Sequence, residues 1–528
     1  MASALRTFFH GKRKPAFLIL FLYLWIILIL HSSKNDLAIT PFLITALGLL
    51  SLFIAFLILF ALQSLSDYQP KTAPRQAGKK DLLKIVSVFL VIFAFYMVCF
   101  AGQFPGGMNA DISDQLAQAF GETAYNDWHP VLHTLLFMTI PLKLTGSYGF
   151  AIFLQLLYFC LAFTYLIFVL YQNGGSRFLL GGVFLYVLVN PFLITYSMYA
   201  MKDIAMMIFA IVLVAYYIQI ICSKGAWLKR GRNIILFATA VILCSYMRHN
   251  AILFTGPLLL ITFLYLILYK NGKTCLPMLC AIAILFIAVK GLYLCLDVQQ
   301  PQFRKLETIG LPLSIWANVT YSNPDALPED VLAFMYEILP QDLENGVYSV
   351  NTGFNSIKSA DLISYYRIDE IPYSTVLKKT LQCFYYAPSE SLEAFAKLTD
   401  IVWETDICVT PVDMFILEND WGIESTPNET ILSFVQWLST LLGGGIAGTI
   451  LGSVGFELLI MIILGTLFLA KNRLAFLHLL PFFCYDFGTM LLLTGRDYRF
   501  FLFNLPLWIP IIFLLFRDDT VFSARPAR

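Results

Sequence analysis

A polar, acidic stretch at residues 103–130 interrupts a chain that is otherwise mostly apolar. It contains no Lys or Arg, and its ionisable side chains are Asp111, Asp114, Glu122, Asp127 and His129, with His133 shortly after it. Carboxylates and imidazoles are the side chains that most often exchange protons with a substrate. The residue types therefore predict an acid/base centre in this stretch, with Glu122 and Asp127 expected to be solvated.

Basic side chains from other parts of the chain are suited to complete this centre. They stand at the ends of apolar runs, in the segments Lys202-Asp203, Arg248-His249 and Arg496-Asp497-Tyr498-Arg499. Guanidinium groups match the geometry of phosphate oxygens. Charged groups near a bilayer are costly, and they usually mark a function. The pattern predicts an anion site, suited to a phosphate, beside the carboxylates.

Each of these residues also has a purely structural interpretation. Asp111 is suited to cap a helix over 112–121, and Asp114 would then favour the dipole of that helix. The spacing of His129 and His133 would let them share a metal on one helix face. Lys202-Asp203 is compatible with a plain ion pair, and Arg248 with a side chain that extends to the membrane surface.

The composition fixes the class of protein. Hydrophobic residues make up 59% of the chain and charged residues 13%, whereas soluble domains carry about 25% charged residues. The mean hydropathy is +0.75. The net charge of +1 gives no basic surface for a nucleic acid. The chain is therefore predicted to be an all-α, multi-pass membrane protein.

Apolar runs long enough to cross a bilayer predict about twelve transmembrane helices. They lie near 15–31, 39–63, 83–102, 149–171, 179–199, 204–222, 234–249, 251–269, 276–296, 453–470, 474–493 and 501–516. Lys and Arg in the short loops place both termini in the cytoplasm and residues 103–148 outside. This topology leaves no room for full crossings at 130–146 or 431–449, which we expect to be a juxtamembrane or re-entrant helix and an interfacial helix.

The same reasoning divides the chain into four regions. Residues 1–82 hold two transmembrane helices and a basic cytoplasmic loop, and residues 83–296 form the transmembrane core with the first external loop. Residues 297–450 form an external, mainly helical segment that ends in the interfacial helix. Residues 451–528 hold the last transmembrane helices.

The segments PGGMNADISDQ and NDWHP, at 105–115 and 126–130, carry a family resemblance. Their pattern, PG…D…Q…HP, resembles the first external loop of bacterial membrane glycosyltransferases of the C-type (GT-C) superfamily. The resemblance implies a GT-C-like helical bundle, a polyprenyl-phosphate sugar donor and inverting transfer on the outer face. It implies a catalytic Asp at Asp111, a second acidic position at Asp203, and site positions at Gln115 and His129.

The resemblance leaves the metal open, because some members use a divalent cation and others do not. Here Ile112 follows Asp111, where the family usually has a second carboxylate. The sequence predicts a transferase that moves a sugar to an extracytoplasmic glycan or lipid acceptor in the cell envelope. The alternatives are a polysaccharide polymerase or ligase, and a transporter or flippase of lipid-linked glycans. A transporter would place ionisable residues near the bilayer midplane.

Overall fold

The structure is a computed structural model that describes residues 13–62, 65, 74–75, 78–341, 348–359, 363–406, 414–469 and 475–517. Within these residues every regular element is a helix. The helices before residue 297 are α1 (Arg13–Lys34), α2 (Pro41–Ala61), α3 (Lys79–Ala101), α4 (Ala110–Phe120), α5 (Val131–Thr145), α6 (Tyr148–Gln172), α7 (Arg177–Val189), α8 (Pro191–Tyr196), α9 (Lys202–Cys222), α10 (Gly231–Met247), α11 (Ile252–Leu268) and α12 (Cys275–Cys295).

The second half of the chain is equally helical. Its helices are α13 (Gly310–Ser322), α14 (Glu329–Tyr336), α15 (Asn355–Ser359), α16 (Tyr365–Glu370), α17 (Tyr373–Tyr386), α18 (Pro388–Trp403), α19 (Glu429–Leu442), α20 (Gly445–Gly452), α21 (Val454–Leu469), α22 (Leu480–Met490) and α23 (Trp508–Arg517). Two 3₁₀ turns matter for the site, Arg304–Thr308 and Tyr498–Asn504.

The described residues form eight helices that are long and apolar enough to cross a membrane. These are α1, α2, α3, α6, α9, α11 with its leading turn, α12, and the helical stretch Tyr498–Arg517. The protein is thus a helical, multi-pass membrane protein, as its composition predicted. A chain of 21 helical residues spans about 32 Å, which matches the hydrocarbon core.

Four of the twelve predicted crossings form shorter helices. Residues 179–199 are divided because Asn190-Pro191 ends α7 and starts α8, with the Asn190 side chain accepting from Phe192 N and Leu193 N. The runs at 234–249 and 453–470 form α10 and α21, and 474–493 contains only α22 after a 3₁₀ turn. The figure of twelve crossings remains a prediction.

The two segments expected not to cross also have distinct shapes. Helix α5 includes a π-helical turn at Thr134–Thr139 and, at about 22 Å, is shorter than the hydrocarbon core. Helices α19 and α20 meet at a bend of 96°. Both shapes fit a re-entrant or interfacial segment, and a ninth span would result only if α19 and α20 crossed together.

Helix α9 lies at the centre of the bundle. It packs against α6, α10 and the 3₁₀ turn Tyr498–Asn504, and most of its side chains are buried. Its first residue is Lys202, so the packing of α9 brings this amine into the protein. At the other end of α9, Gln219 Nε2 donates to Gln172 Oε1 at 2.9 Å.

Basic loops meet at that second end of α9. Arg75 N donates to Gln172 O at 2.8 Å, and Arg517 Nε donates to Asn173 O at 2.7 Å. The loop that follows α9 is bonded to the loop that follows α11, because Asn271 Nδ2 donates to Lys224 O at 2.7 Å. Both loops are predicted to be cytoplasmic. The grouping agrees with the prediction that these loops share one side, whereas the acidic stretch lies near Lys202.

The segment 297–430 packs on the bundle through α18. Helix α18 contacts α13 and α17 on one side and α1 and α21 on the other. A buried ion cluster strengthens this joint, which we name the Asp400 cluster: Asp400 Oδ2 is 3.1 Å from Lys34 Nζ, and Asp400 Oδ1 is 2.6 Å from Arg496 Nε. The first transmembrane helix, the segment 297–430 and the last loop are thus tied at one carboxylate.

Candidate active site

Asp111 lies in the first turn of α4, and a different residue caps that helix. The Asn109 side chain accepts from Ile112 N at 3.1 Å, so the alternative in which Asp111 is the cap is wrong. Asp114 is one turn further along and is 70% exposed. A carboxylate in the first helical turn is favoured by the helix dipole. Asp111 is therefore free of a capping role, and its side chain is available to the site.

The backbone before α4 is held in place by distant segments. Gly107 N donates to Met198 O at 3.0 Å, and Met108 N donates to Phe415 O at 2.9 Å. A side chain at Gly107 would collide with the ring of Tyr199. The close approach therefore requires glycine here. These contacts fix where α4 starts and hence where the Asp111 carboxylate points.

Asp111 contacts two cations that are far apart in the sequence, Lys202 and Arg499. Its Oδ2 accepts from Arg499 Nη1 at 2.8 Å and from Lys202 Nζ at 3.1 Å. Arg499 is anchored in turn by Asp497, whose Oδ2 accepts from Arg499 Nε at 2.6 Å and whose Oδ1 accepts from Arg499 N at 3.1 Å. We refer to these four residues as the anion cluster.

His129 extends the anion cluster through Lys202. The distance between Lys202 Nζ and His129 Nδ1 is 2.7 Å, and an ammonium can only donate, so Nδ1 accepts and the ring proton is assigned to Nε2. Nε2 lies 3.8 Å from Asp114 Oδ2. Burial and the charge of Lys202 lower the pKa of His129 below its usual 6.5, so the imidazole is neutral at neutral pH.

The surroundings move two carboxyl pKa values in opposite directions. Burial alone would raise the pKa of Asp111, but the charges of Lys202 and Arg499 outweigh it and hold this pKa well below its ordinary value. Burial raises the pKa of Asp127, against the opposing charge of Arg304. Asp127 is only 8% exposed, so the expectation that it is solvated is wrong. Glu122 is exposed as predicted, although its Oε1 accepts from Trp421 Nε1 at 2.6 Å.

A cavity of about 460 Å³ brings these groups together. Its lining includes the whole anion cluster together with His129, Arg248 and His249. Arg248 pairs with the buried Asp203 and donates from Nε to Asn250 Oδ1 at 2.6 Å. Asp203 therefore holds Arg248 in place without itself lining the cavity. The volume is in the range of small-molecule and cofactor sites.

A second group of side chains lines the same cavity and was not predicted. We name it the loop cluster; its members are Trp128, Arg304, Glu307 and Lys358. Lys358 pairs with Glu307 and lies 5.7 Å from the centre of the Trp128 ring. Arg304 is exposed, and it follows Phe303, which adopts a left-handed conformation at φ 57°. A bulky residue rarely takes this conformation.

The loop that carries Trp128 is rigidly held. Asp127 N donates to Gln299 O at 3.0 Å, and Gln299 N donates to Tyr125 O at 2.8 Å. His249 Nε2 contacts Asp127 O at 3.0 Å. His249 thus supports the loop as well as lining the cavity, and Trp128 is presented from a fixed backbone.

Five predicted site residues lie outside the cavity lining: Asp114 and Asp203, described above, and Gln115, Arg496 and Tyr498. Gln115 is on α4 and is buried, and its Nε2 contacts His133 Nδ1 at 3.0 Å and Thr134 Oγ1 at 2.9 Å. Arg496 is drawn to Asp400, away from the anion cluster. Tyr498 is buried, and its hydroxyl donates to Gly452 O. The side chains of Gln115, Arg496 and Tyr498 are each held by a protein partner away from the cavity lining, and their roles in substrate binding stay predictions.

The donor set of the anion cluster does not suit a divalent cation. In the described part of the chain no three His, Cys, Asp or Glu side chains are placed to hold a metal. The pairing of His129 with His133 on a metal is also not formed, because His133 is buried against Gln115. Lys202 and Arg499 already contact Oδ2 of Asp111, and their charges would repel a divalent cation.

Two further carboxyl groups are buried within the bundle. Glu457 on α21 has its Oε1 3.5 Å from the hydroxyl of Tyr186, and Asp486 on α22 accepts from Asn504 Nδ2 at 2.8 Å. Both side chains are fully buried. The sequence interpretation placed the ionisable residues at the ends of spans, and these two groups depart from it.

Comparison with protein-family models, with curated proteins and with solved structures finds no match to this chain in any of the three. The candidate function is therefore argued from the site itself.

Proposed function

We propose that the protein is a membrane glycosyltransferase of the GT-C kind that its first loop resembles. It would transfer a sugar from a polyprenyl-phosphate donor to a glycan or lipid acceptor on the extracytoplasmic side of the cell membrane. One observation carries the proposal: a carboxylate and two cations from three separate elements converge on one cavity, where Asp111 contacts Lys202 and Arg499.

These groups match the needs of the reaction. The acceptor hydroxyl attacks the anomeric carbon, and its proton passes to the Asp111 carboxylate. The bond between that carbon and the phosphate oxygen breaks, and the phosphate leaves with the electron pair. Arg499, Lys202 and Arg248 stabilise the charge that develops on it. Attack from the face opposite the phosphate inverts the anomeric centre in one step, without a covalent intermediate.

The loop cluster is suited to the acceptor. Trp128 presents an aromatic face, on which the apolar face of a sugar ring packs. Glu307 and Lys358 supply an acceptor and a donor for hydroxyl groups beside it. The cavity would then hold the donor phosphate at the anion cluster and the acceptor sugar at the loop cluster.

The test is transfer by the purified protein in lipid nanodiscs, with a panel of radiolabelled polyprenyl-phosphate sugars and membrane glycolipids. Asp111→Asn is expected to lower the rate about a hundredfold to ten-thousandfold, the range for loss of a general base. Glu122→Gln is the matched control and should retain the rate, because this exposed carboxylate follows the same helix and lies outside the cavity lining. Unchanged transfer by a folded Asp111→Asn protein would refute the assignment.

A transporter is the second candidate, favoured by Glu457 and Asp486, because carboxyl groups buried among membrane helices commonly serve ion or proton pathways. Flux of a fluorescent lipid-linked sugar across proteoliposomes would test it. A flux that is lost in Glu457→Gln and Asp486→Asn, without any covalent transfer, would replace the transferase proposal.

A further inference from the structure

The positive and negative charges within the anion cluster balance each other. The carboxylates of Asp111 and Asp497 balance the charges of Lys202 and Arg499, and His129 is a neutral acceptor for Lys202. Arg248 beside them is balanced by Asp203. An incoming anion therefore finds no net positive charge there, and it must replace a group that already holds the cations.

The two carboxylates of the cluster are not equally replaceable. Asp497 is fixed by two bonds to its own turn, because it accepts from both Nε and the backbone N of Arg499. Asp111 contacts the cations through one oxygen, Oδ2. Its side chain is 28% exposed and lines the cavity. Asp111 can turn away from Lys202 and Arg499 without disturbing the backbone, whereas Asp497 keeps Arg499 in position.

We propose that Asp111 is a displaceable internal ligand, and that the phosphate of a phosphate ester exchanges for it on Lys202 and Arg499. This inference rests on the proposed function for the identity of the donor, but the exchange itself needs no sugar transfer. The phosphate takes the position of Asp111 Oδ2 and accepts from Arg499 Nη1 and Lys202 Nζ, while Asp111 moves into the cavity toward the acceptor.

The exchange gives the site an order of events. While both cations hold Asp111, its carboxylate is a poor base, since each cation stabilises the charged form. When a phosphate binds, the cations are shared with the ligand, and Asp111 regains affinity for a proton. The base therefore becomes competent only when the donor is in place.

The exchange predicts that removing the competitor tightens phosphate binding. Asp111→Asn should lower the Kd for farnesyl phosphate about tenfold, which corresponds to about 1.4 kcal/mol. Asp497→Asn should raise the Kd, because Arg499 loses its anchor. Glu122→Gln, which removes the same charge at the far end of α4 and outside the cavity lining, should leave it unchanged. Isothermal titration calorimetry on the full chain in detergent measures all three.

Inorganic phosphate is titrated in a parallel arm to separate the two sources of this anion. An equal gain for both ligands means that the site recognises phosphate alone, and a gain for farnesyl phosphate only means that it requires the lipid. Either result supports the exchange. An unchanged or weaker affinity in Asp111→Asn overturns it, as does equal tightening in Asp111→Asn and Asp497→Asn, which would reflect net charge alone.

The outcomes for the two proposals are distinguishable. Tighter binding by Asp111→Asn without any transfer by the wild-type protein would support the exchange and refute the glycosyltransferase. Loss of transfer in Asp111→Asn with an unchanged Kd would do the reverse. If Asp111→Asn does not fold, infrared difference spectra of the wild-type protein give a second measurement. Addition of phosphate must then shift a carboxylate band, and a spectrum without that shift overturns the exchange.

Discussion

Asp111 in the anion cluster and Asp400 in the Asp400 cluster each contact two cations, yet the two carboxylates stand in different surroundings. Asp111 is 28% exposed and faces the cavity, whereas Asp400 is 2% exposed and lies outside the cavity lining. The cations dominate at Asp111 and lower its pKa, while burial dominates at Asp400 and raises its pKa. The same set of charges can therefore serve a ligand in one place and hold the fold together in another.

The two clusters differ in their access to the cavity and not in their residue types. Arg496 and Arg499 are three residues apart in one turn, and the sequence gives no reason to separate their roles. In the structure Arg496 contacts Asp400 where α1 and α18 meet, whereas Arg499 contacts Asp111 in the cavity. A substitution at each position should thus change a different property, and this contrast can be measured.

The largest effect is expected from the buried cluster. Asp400→Ala leaves Arg496 without its carboxylate, while Lys34 keeps Glu404 at 3.6 Å. Breaking a fully buried ion pair costs about 3–5 kcal/mol, and the cost here is smaller because both cations are partly exposed. We expect a marked loss of thermal stability in detergent, read by light scattering, while the folded fraction still binds farnesyl phosphate. Asp330→Ala is the control, because Asp330 is 80% exposed and 3.9 Å from Lys379. Equal losses in both variants would contradict the distinction.

The paired arginines should separate binding from stability. Arg499→Ala removes a charge-assisted contact worth about 1.5–3 kcal/mol, so farnesyl phosphate should bind roughly tenfold to a hundredfold more weakly. Arg496→Ala should lower thermal stability and leave the Kd unchanged. The two variants carry the same change in net charge. A weaker Kd in Arg496→Ala would place that residue back in the ligand site, as the sequence suggested.

The smallest expected effect is a pH dependence. The pKa of His129 is below its usual 6.5 in the folded protein, so the unfolded chain binds the proton more readily. The stability that this neutral imidazole contributes is complete above about pH 6.5 and is lost as the pH falls toward the folded pKa. Melting temperatures between pH 7.5 and 5 should fall further in the wild type than in His129→Gln. Parallel curves would exclude His129 as the titrating group.

Much of the membrane organisation could be predicted from the sequence, because long apolar runs produce a strong and local signal. Eight predicted crossings form helices of the required length. The remaining four are short for reasons that are only partly local, such as Asn190-Pro191 in the run 179–199. Counting apolar residues does not reveal where a run is broken or tilted.

The candidate site was predictable where a charge follows directly from a span end. Asp111, Lys202 and Arg499 were all expected, and the structure joins them. Arg304 and Lys358 were missed because they lie in a long segment rich in ordinary surface charges. One local signal was available, since Asn109, two positions before Asp111, is as good a cap as Asp111 and starts the helix earlier.

The contacts that hold the loop before α4 also determine when the candidate site can assemble during synthesis. Met108 is bonded on both sides by the strip 414–428, through Phe415 O and Leu417 N, and Arg499 reaches Asp111 from a residue 388 positions later. Chains are made from the N-terminus, so Asp111 enters the membrane surface long before these partners exist. A chain halted after α21 would lack Arg499 and Asp497, so the cation contacts of Asp111 are complete only once residue 499 has been synthesised.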